Sequence, residues 1–595
     1  MLKALYDYGV AHPEIILPPE TSMRGIKFVV ELTPNGDLVG VRQSKEKAVP
    51  CPDIGGATRS GTISNILMEK AELSIRLNSP KSDEASTPNT KAKRECFLSY
   101  FEEGAQAGIE AFASVLTALR NPETLLAIQE QAAAQKMKPT DSVGFAINGE
   151  LLSEMATVRQ WWSLRCRGKK KADKDYLDLI TGQPCTPAEL HKSIPRSAAG
   201  KGKAQASGVK LVSFNHRAFE SYGLSEAQGL NAPMSQETAD IISDSLTYLG
   251  EHGGKLADMR FIHWYDKEVP QECDVLLSGF FDPTSDDSEE DAEEIDEEAK
   301  AAAATKLVEA LITGEPPMEL SGCTYHIMLL HSDMSRMSIR YVDTGNYATL
   351  YSNLKAWFDD MTLVSQTGQG RAKYRTINGL LYGLLNPSEQ ARTKYDEKMA
   401  ALKATVLKLA IACMQNGPIP PVVLARAIAN IKSQIYRKDG LSPVPFQVLK
   451  MYLLRQPANQ EGGKLMPELN PKVENIGYQC GRLLAIYDAI QRRAAPEVQA
   501  GVLTKFYSAC SQHPAMTIGR MQALSVHHLR KIESPYYERL YRDMLATVYD
   551  CIPAGTQIPK RLSPENQAYF AVGYWQQVAE IGRQTTYKPQ KQEEE

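Results

Sequence analysis

At 595 residues, with 43% hydrophobic and 23% charged composition, the chain is long enough for about two to four domains, each burying a core of its own. No run approaches the roughly 18 apolar residues of a bilayer span, and the start "MLKALYDYGVAHPEIILPP" is too mixed in polarity for a signal peptide; a soluble, cytoplasmic protein is expected. The ten cysteines form no C-x-x-C pair, which excludes a zinc ribbon or a dithiol redox motif and leaves them as small core residues.

Taken in order, the first strong signal is "IKFVVELTPNGDLVGVRQ", two β-rich runs around Asn35-Gly36 that predict a hairpin. A loop-rich segment, "CPDIGGATRSGTISNILMEKAEL", follows. Apolar spacing is helical from Glu95 to about Gln135 and again from Gly149 to Leu164, so the N-terminal part reads as mixed α and β. Between Asp282 and Glu298 lie 11 acidic residues, in "DPTSDDSEEDAEEIDEE". Such a block has too little apolar content for a core and reads as a solvated linker, or as a phosphate mimic covering a basic groove. It also hides the balance of the rest, where 67 Lys and Arg face 60 of the 71 acids behind the formal charge of -4.

After the block, "TYHIMLLHSDMSRMSIRYV" alternates as two strands about a polar turn, expected to complete a sheet begun earlier. Beyond about residue 372, "AIANIKSQIYR", "VENIGYQCGRLLAIYDAIQRR", "MTIGRMQALSVHHLRKIE" and "SPENQAYFAVGYWQQVAEIGRQ" all keep helical spacing, the last opened by Ser563 as a cap and Pro564 as first helical residue. The reading is an α+β fold: a mixed N-terminal domain with antiparallel hairpins over 1–281, an acidic linker over 282–304, a strand pair over 305–371 completing that domain, a helical connection over 372–465, and an all-α bundle over 466–595.

Motifs for catalysis are missing. No H-E-x-x-H, G-x-S-x-G, kinase set, Walker loop or H-x-E with P-C-x-x-C occurs; His527 and His528 are adjacent and cannot share a metal from one helix face, and His326 and His331 lie near an expected strand turn with no carboxylate pattern that repeats a known site. No metal or cofactor is expected.

Basic segments are the informative ones. From Leu190 to Phe219 the chain holds Lys192, Arg196, Lys201, Lys203, Lys210 and Arg217 and no acid, and "RCRGKKKADK" upstream adds Arg165, Arg167, Lys169, Lys170, Lys171 and Lys174. Two such stretches in one domain favour a groove that neutralises phosphates, with Arg165, Arg167, Lys169, Lys170, Lys171, Lys174 and Lys210 as phosphate contacts. Inside the run, "GKGKAQASG" (Gly200 to Gly208) lets backbone N–H groups approach a polyanion. Amide and hydroxyl side chains in Gly- or Ser-rich segments can read base edges, most simply A·T against G·C in the minor groove. Lys201, Lys203, Gln205 and Ser207 are the candidates in the glycine loop, Asn65 is a second probe, and Asn215, Gln228 and Asn231 are further ones. In the bundle, Arg482, Arg492, Arg493, Lys505, Arg520, Arg530 and Lys531 are candidates for a single-strand path.

The run "LITGQPCTPAELHKSIPRSAAGKGKAQASGVKLVSFNHRAFESYGLSEAQGLNAPMS" (179–235) resembles the large subunits of the type I-C CRISPR surveillance complex, Cascade. "MLKALYDYGV", "GGATRSGTISNILMEKA", "SRMSIRYV", "NIGYQCGRLLAIYDAIQRRA", "TKFYSACSQHPAMTIGRMQALSVHHLRKI" and "SPENQAYFAVGYWQQ" resemble the same family in the same order. The acidic insert and the alanine run after it depart from it, as does "SGTISNILMEKA", which lacks the family's frequent aromatic after the Asn.

The resemblance implies a non-catalytic subunit that reads the protospacer-adjacent motif in duplex DNA, promotes strand opening and R-loop formation, and offers a docking surface to a helicase-nuclease. Guide pairing would read the rest of the target. Partners implied are the guide crRNA ribonucleoprotein, the Cascade backbone and crRNA-processing subunits, target double-stranded DNA and a small subunit; no membrane is involved. The bundle would resemble that small subunit and be made separately from Met466, where "QEGGKLM" permits a purine-rich ribosome-binding sequence and Pro467 and Pro471 suggest a cut that severs few contacts. A nuclease, and an architectural subunit that never touches bases, are the alternatives.

Overall fold

The computed structural model describes residues 1–18, 21–46, 48–52, 62–77, 88–167, 176–199, 203–204, 208–214, 228–256, 258–270, 274, 314, 318–392, 395–436, 440–456, 464–498 and 501–586. The chain clusters into two units, Met1–His252 with Leu330–Ser338, and Gly253–Leu329 with Ile339–Glu595. The division falls at His252, before the boundary at 281 that the composition suggested. The acidic block lies outside the described residues.

In the first unit, helix α1 (Leu2–Ala11) is followed by strands β1 (Thr21–Gly25), β2 (Phe28–Leu32), β3 (Leu38–Gln43) and β4 (Ala48–Pro52). The expected hairpin is β2–β3, closed by a turn in which Gly36 has φ +87°. Strands β5 (Glu69–Lys70), β6 (Ser142–Ile147) and β7 (Glu150–Leu151) extend the sheet to the order β3-β2-β6-β5, with β7 on β6 and β2 parallel to β6. Helices α2 (Pro88–Gln106), α3 (Glu110–Arg120), α4 (Pro122–Ala134) and α5 (Ala156–Arg167) contribute to its core. Strand periodicity of two decides the packing: Phe28, Val30 and Leu32 join the cluster that holds Phe97, Phe101, Phe112 and Trp161, while Val29 joins Val49, Cys51 and Leu151. Edge-to-face rings, Phe101 with Phe112 at 5.4 Å and Phe112 with Trp161 at 5.1 Å, lock α2, α3 and α5 together.

The helix expected from Gly149 begins only at Ala156. Asn148 (φ +51°) and Gly149 (φ +85°) form a two-residue turn that pairs Ile147 with Glu150, so a second Asn-Gly hairpin occupies the start of that window. Later in the unit come β8 (Lys203–Ala204) and α6 (Gln236–Glu251), the latter packed on α1.

The second unit begins with β9 (Gly254–Leu256) and β10 (Met259–Tyr265), and the two strands expected after the acidic block are β11 (Thr324–Met334) and β12 (Arg336–Asn346). β11 pairs with both β10 and β12, so the strand pair joins a sheet begun at β9 and β10, and apart from the hairpin tip it falls in the second unit, not in the N-terminal domain. The hairpin tip, Leu330–Ser338, belongs to the first unit, where Asp333 and Met334 pair in parallel with Lys203 and Ala204. Helix α7 (Tyr347–Met361) follows at once, capped by Asn346, which accepts from the Ala348 N–H at 2.9 Å. Its apolar set Tyr347, Leu350, Tyr351, Leu354, Trp357, Phe358 and Met361 is buried, so 305–371 holds a helix as well as the strand pair.

Helices α8 (Lys403–Met414), α9 (Pro421–Gln434), α10 (Val444–Leu454), α11 (Ile476–Ala494), α12 (Val502–Gln512), α13 (Pro514–Leu529), α14 (Pro535–Asp550) and α15 (Pro564–Thr586) share one core running from Leu256 to Ile581. Ser563 caps α15, its Oγ accepting from Asn566 N–H at 3.2 Å. The central pair is α11 with α15. A Cβ at Gly481 would stand 1.9 Å from the Phe570 carbonyl oxygen, so the backbones touch only because position 481 is glycine.

A cut before Met466 does not sever few contacts. Trp575 of α15 stacks on Phe446 of α10 with centroids 4.6 Å apart and donates to the Val364 carbonyl at 2.8 Å, and Gln576 donates to the carbonyl of Met466 itself at 2.7 Å.

Candidate nucleic-acid interface

The glycine loop of the first unit is held at its feet. On the entering side, Lys203 and Ala204 pair with the β11 tip, and Ser332 Oγ donates to the Ala199 carbonyl at 2.8 Å. On the leaving side, Ile194 and Val209 exchange two backbone hydrogen bonds, of 2.7 and 2.9 Å, and Lys210 pairs beside Arg336. Gly208 sits at φ +83° where a Cβ would lie 2.5 Å from the Ile194 carbonyl oxygen, so this foot requires glycine. Lys201, Gln205, Ser207 and Asn215 lie outside the described residues, as do Lys169, Lys170, Lys171 and Lys174; for Lys203, Gln228 and Arg167 only the backbone is described.

The base of this frame is charged and buried. Lys192 Nζ lies 2.9 Å from Asp244 and 3.6 Å from Asp240, all three side chains about 5–6% exposed, and Asp244 also accepts the Leu17 N–H at 3.1 Å. Burial pushes the Asp244 carboxyl up to about 6, although Lys192 pulls it down. Next door, burial and then the Lys210 charge hold His191 down at about 4, and Lys210 Nζ donates to the His191 carbonyl at 2.9 Å. Lys210, expected on a phosphate, therefore ties the loop foot to the backbone at His191.

Two further expectations meet competing partners. Arg165 is only 19% exposed at its side chain: Nε donates to Glu103 at 2.7 Å and the guanidinium lies 5.2 Å from the Tyr100 ring centre, so it staples α5 to α2 and is not an open phosphate contact. Asn65 gives its N–H and its Nδ2 to Glu69 Oε2 at 3.0 and 2.9 Å, while its Oδ1 is buried without a hydrogen-bond partner, so its amide faces its own turn. Asn231 is half-buried in a helical turn, Gln228–Asn231, where Gly229 passes against the Ala188 carbonyl.

In the bundle, Arg482 is buried and is not part of a single-strand path. It is 3% exposed, with Nε on Gln577 at 2.9 Å and Nη1 on Gln479 at 2.9 Å, and no strand on the surface can reach it. Arg492, Arg493, Lys505, Arg520, Arg530 and Lys531 are exposed. Arg492 pairs with the buried Asp488 at 2.5 Å, which ties the end of α11 to the start of α12 because Asp488 also accepts the Leu503 N–H at 2.9 Å. Along α13, Met516, Arg520, Ala523, His527 and Arg530 alternate by four and three residues on one exposed face. The sequence carries its own signal for this face: residues 498–532 contain no acid, a longer acid-free run than 190–219.

Among the described residues no group of three His, Cys, Asp or Glu is arranged to hold a metal ion, and no helix is long and apolar enough to cross a membrane.

Residues 2–581 match the family described as CRISPR-associated protein (Cas_Csd1). The chain belongs to that family. It is thus a large subunit of the type I-C CRISPR complex, Cascade, and other CRISPR-associated subunits and a crRNA are its company there. No curated protein matches the chain.

Proposed function

We propose that this Csd1 subunit recognises the protospacer-adjacent motif as duplex DNA, promotes strand opening and R-loop formation, supports the opened strand on the bundle, docks the helicase-nuclease, and carries out no chemistry on DNA itself. The observation that carries the reading is the clamped glycine loop. A basic, acid-free run has its described feet held, Lys203 and Ala204 by the hairpin tip on one side and Val209 and Lys210 by Ile194 and Arg336 on the other. In this reading Lys201, Lys203, Gln205 and Ser207 face the motif with Asn215, Gln228 and Asn231 nearby, and Arg167, Lys169, Lys170, Lys171 and Lys174 neutralise phosphates.

The test is a panel of duplexes differing only in the adjacent motif, offered to the assembled guide complex. Replacing Gln205 and Ser207 by Ala is expected to compress the ratio between correct and incorrect motifs by about 1–3 kcal/mol for each base hydrogen-bonding group removed. Unchanged ratios would remove the loop from motif reading.

A shorter product starting at Met466 is part of the same proposal. Without α9 and α10, its α15 surface around Trp575 is uncovered, so it should be recovered bound to other subunits; intact mass of C-terminally tagged material, with and without Met466→Leu, checks its existence.

A further inference from the structure

The corner where α11 ends and α14 begins carries a feature that the cations alone do not explain. Arg493, on the last turn of α11, lies 3.8 Å from the ring centre of Tyr537, and its positive charge favours the ionised form of the buried Tyr541 hydroxyl. Tyr537 is half-buried and packs on the core, so this guanidinium is fixed against a rigid ring. Tyr536 meets Tyr537 edge-on, centroids 5.2 Å apart and planes at 75°, yet remains 51% exposed. The three side chains form a short ladder: a held cation, a seated ring, and an open ring at its end.

We propose that Tyr536 is a stacking platform for one unpaired nucleobase, with Arg493 holding the adjoining phosphate. This rests on the single-strand role given to the bundle above and adds to it the place where a base, not just a backbone, is gripped. Sequence-tolerant single-strand sites combine a cationic track with aromatic faces, because every base has a π-face. The track is here: the acid-free run 498–532 ends with exposed Arg530 and Lys531, and Tyr536 follows Lys531 by five residues, at most about 18 Å of extended chain. Acids are close but occupied or off the ladder: Glu538 is paired with Arg542 at 2.7 Å, and Glu533 is exposed in the intervening turn. A protein partner would also find an Arg–Tyr corner attractive, but the charge along the run favours a polyanion.

The experiment measures the full-length chain binding a mixed-sequence single-stranded oligodeoxynucleotide with a central 2-aminopurine, whose fluorescence reports stacking, beside the same strand with abasic sites. Tyr536→Ala should weaken binding roughly 5- to 150-fold and abolish the fluorescence change, with the salt dependence unaltered. Tyr536→Phe should bind like the original, since stacking needs no hydroxyl. Abasic strand should bind the original protein as weakly as the normal strand binds Tyr536→Ala, and a thermal melt confirms that each variant folds. If Tyr536→Ala binds the normal strand as tightly as the original, or if Tyr536→Phe is as weak as Tyr536→Ala, the platform is wrong while the single-strand role stands. If the original chain binds no single strand at all, the role itself falls and the platform with it.

Discussion

Two stretches of this chain lack acidic residues, and their cations meet different fates. In 190–219, Lys192 is buried between Asp240 and Asp244, and Lys210 is tied to the His191 carbonyl. In 498–532, Lys505, Arg520, Arg530 and Lys531 all stand at the surface. A run without acids in sequence says nothing about acids nearby in space: Asp244 reaches Lys192 from a helix 52 residues away. What separates the regions is topology. The first threads between a helix and a hairpin tip, so Lys192 and Lys210 work as anchors, whereas the second forms the outer helices of a bundle whose core is already filled by α11 and α15.

The largest effect should come from breaking an anchor. Lys192→Ala strands two buried carboxylates and is expected to cost about 3–5 kcal/mol, whereas Lys505→Ala, the same loss of charge on the outer helices, should stay within about 0.5 kcal/mol. Denaturant unfolding of both variants measures the difference; equal losses would erase the distinction between the regions.

Arg482 sharpens it from within the bundle. Arg482→Ala leaves the buried Gln577 and Gln479 carbonyls without their donor, and the expected cost is about 1–3 kcal/mol. Arg520→Ala, exposed on α13, should melt as the original does.

Acid brings out the anchor region alone. Asp244 has a carboxyl raised to about 6 against an ordinary 3.8, so the fold holds its proton more tightly than the unfolded chain; this contribution is full below about 3.8 and is lost as pH rises through about 6. His191 works the other way, held near 4 against an ordinary 6.5: its stability is present above 6.5 and lost as pH falls through about 4. The groups facing them are Lys192 and Asp240 for Asp244, and Lys210 for His191. Over that window the two slopes oppose. Asp244→Asn should therefore uncover the histidine slope, so that the protection factors of the Leu17 and Ile194 amides, corrected for the intrinsic pH dependence of exchange, fall on acidification more in the variant than in the original. Parallel pH profiles for the two proteins would show that neither group reports on the anchor.

Much of the fold was legible because its signals are local. Asn35-Gly36 marks a hairpin, Ser563-Pro564 a capped helix start, and the spacing beyond residue 372 a helical region. The helix over 347–361 has equally local signals, with Asn346 as its cap, but it follows the strand pair without a break in the chain; Asn148-Gly149 is a hairpin turn masked by the helical apolar spacing that follows it. The site was less legible, since an arginine's role is set by partners far along the chain: Glu103 for Arg165, 62 residues away, and Gln577 for Arg482, 95 residues away. Glycines mislead in a similar way. Gly481 lies in a stretch that resembles the family, yet what it does is let two backbones touch.

The smallest effect on stability, and the most informative about the outer face, belongs to Arg530 and Lys531. Both are exposed just after α13, and neither has an acid within its own run of sequence to neutralise it. Replacing both by Ala should leave denaturant midpoints unchanged within error, because no buried group is deprived of a partner. Single-strand binding is a different matter. Every phosphate that goes un-neutralised should flatten the plot of log affinity against log salt by about 0.7, so up to about 1.4 for the pair, equally for every sequence tested. This signature differs from that of Tyr536→Ala, which should lower affinity at all salt concentrations and leave the slope alone. A double variant that bound more weakly with the original slope would mean that these cations hold the corner in shape without meeting phosphate, and the outer face would then join the loop region as a set of anchors.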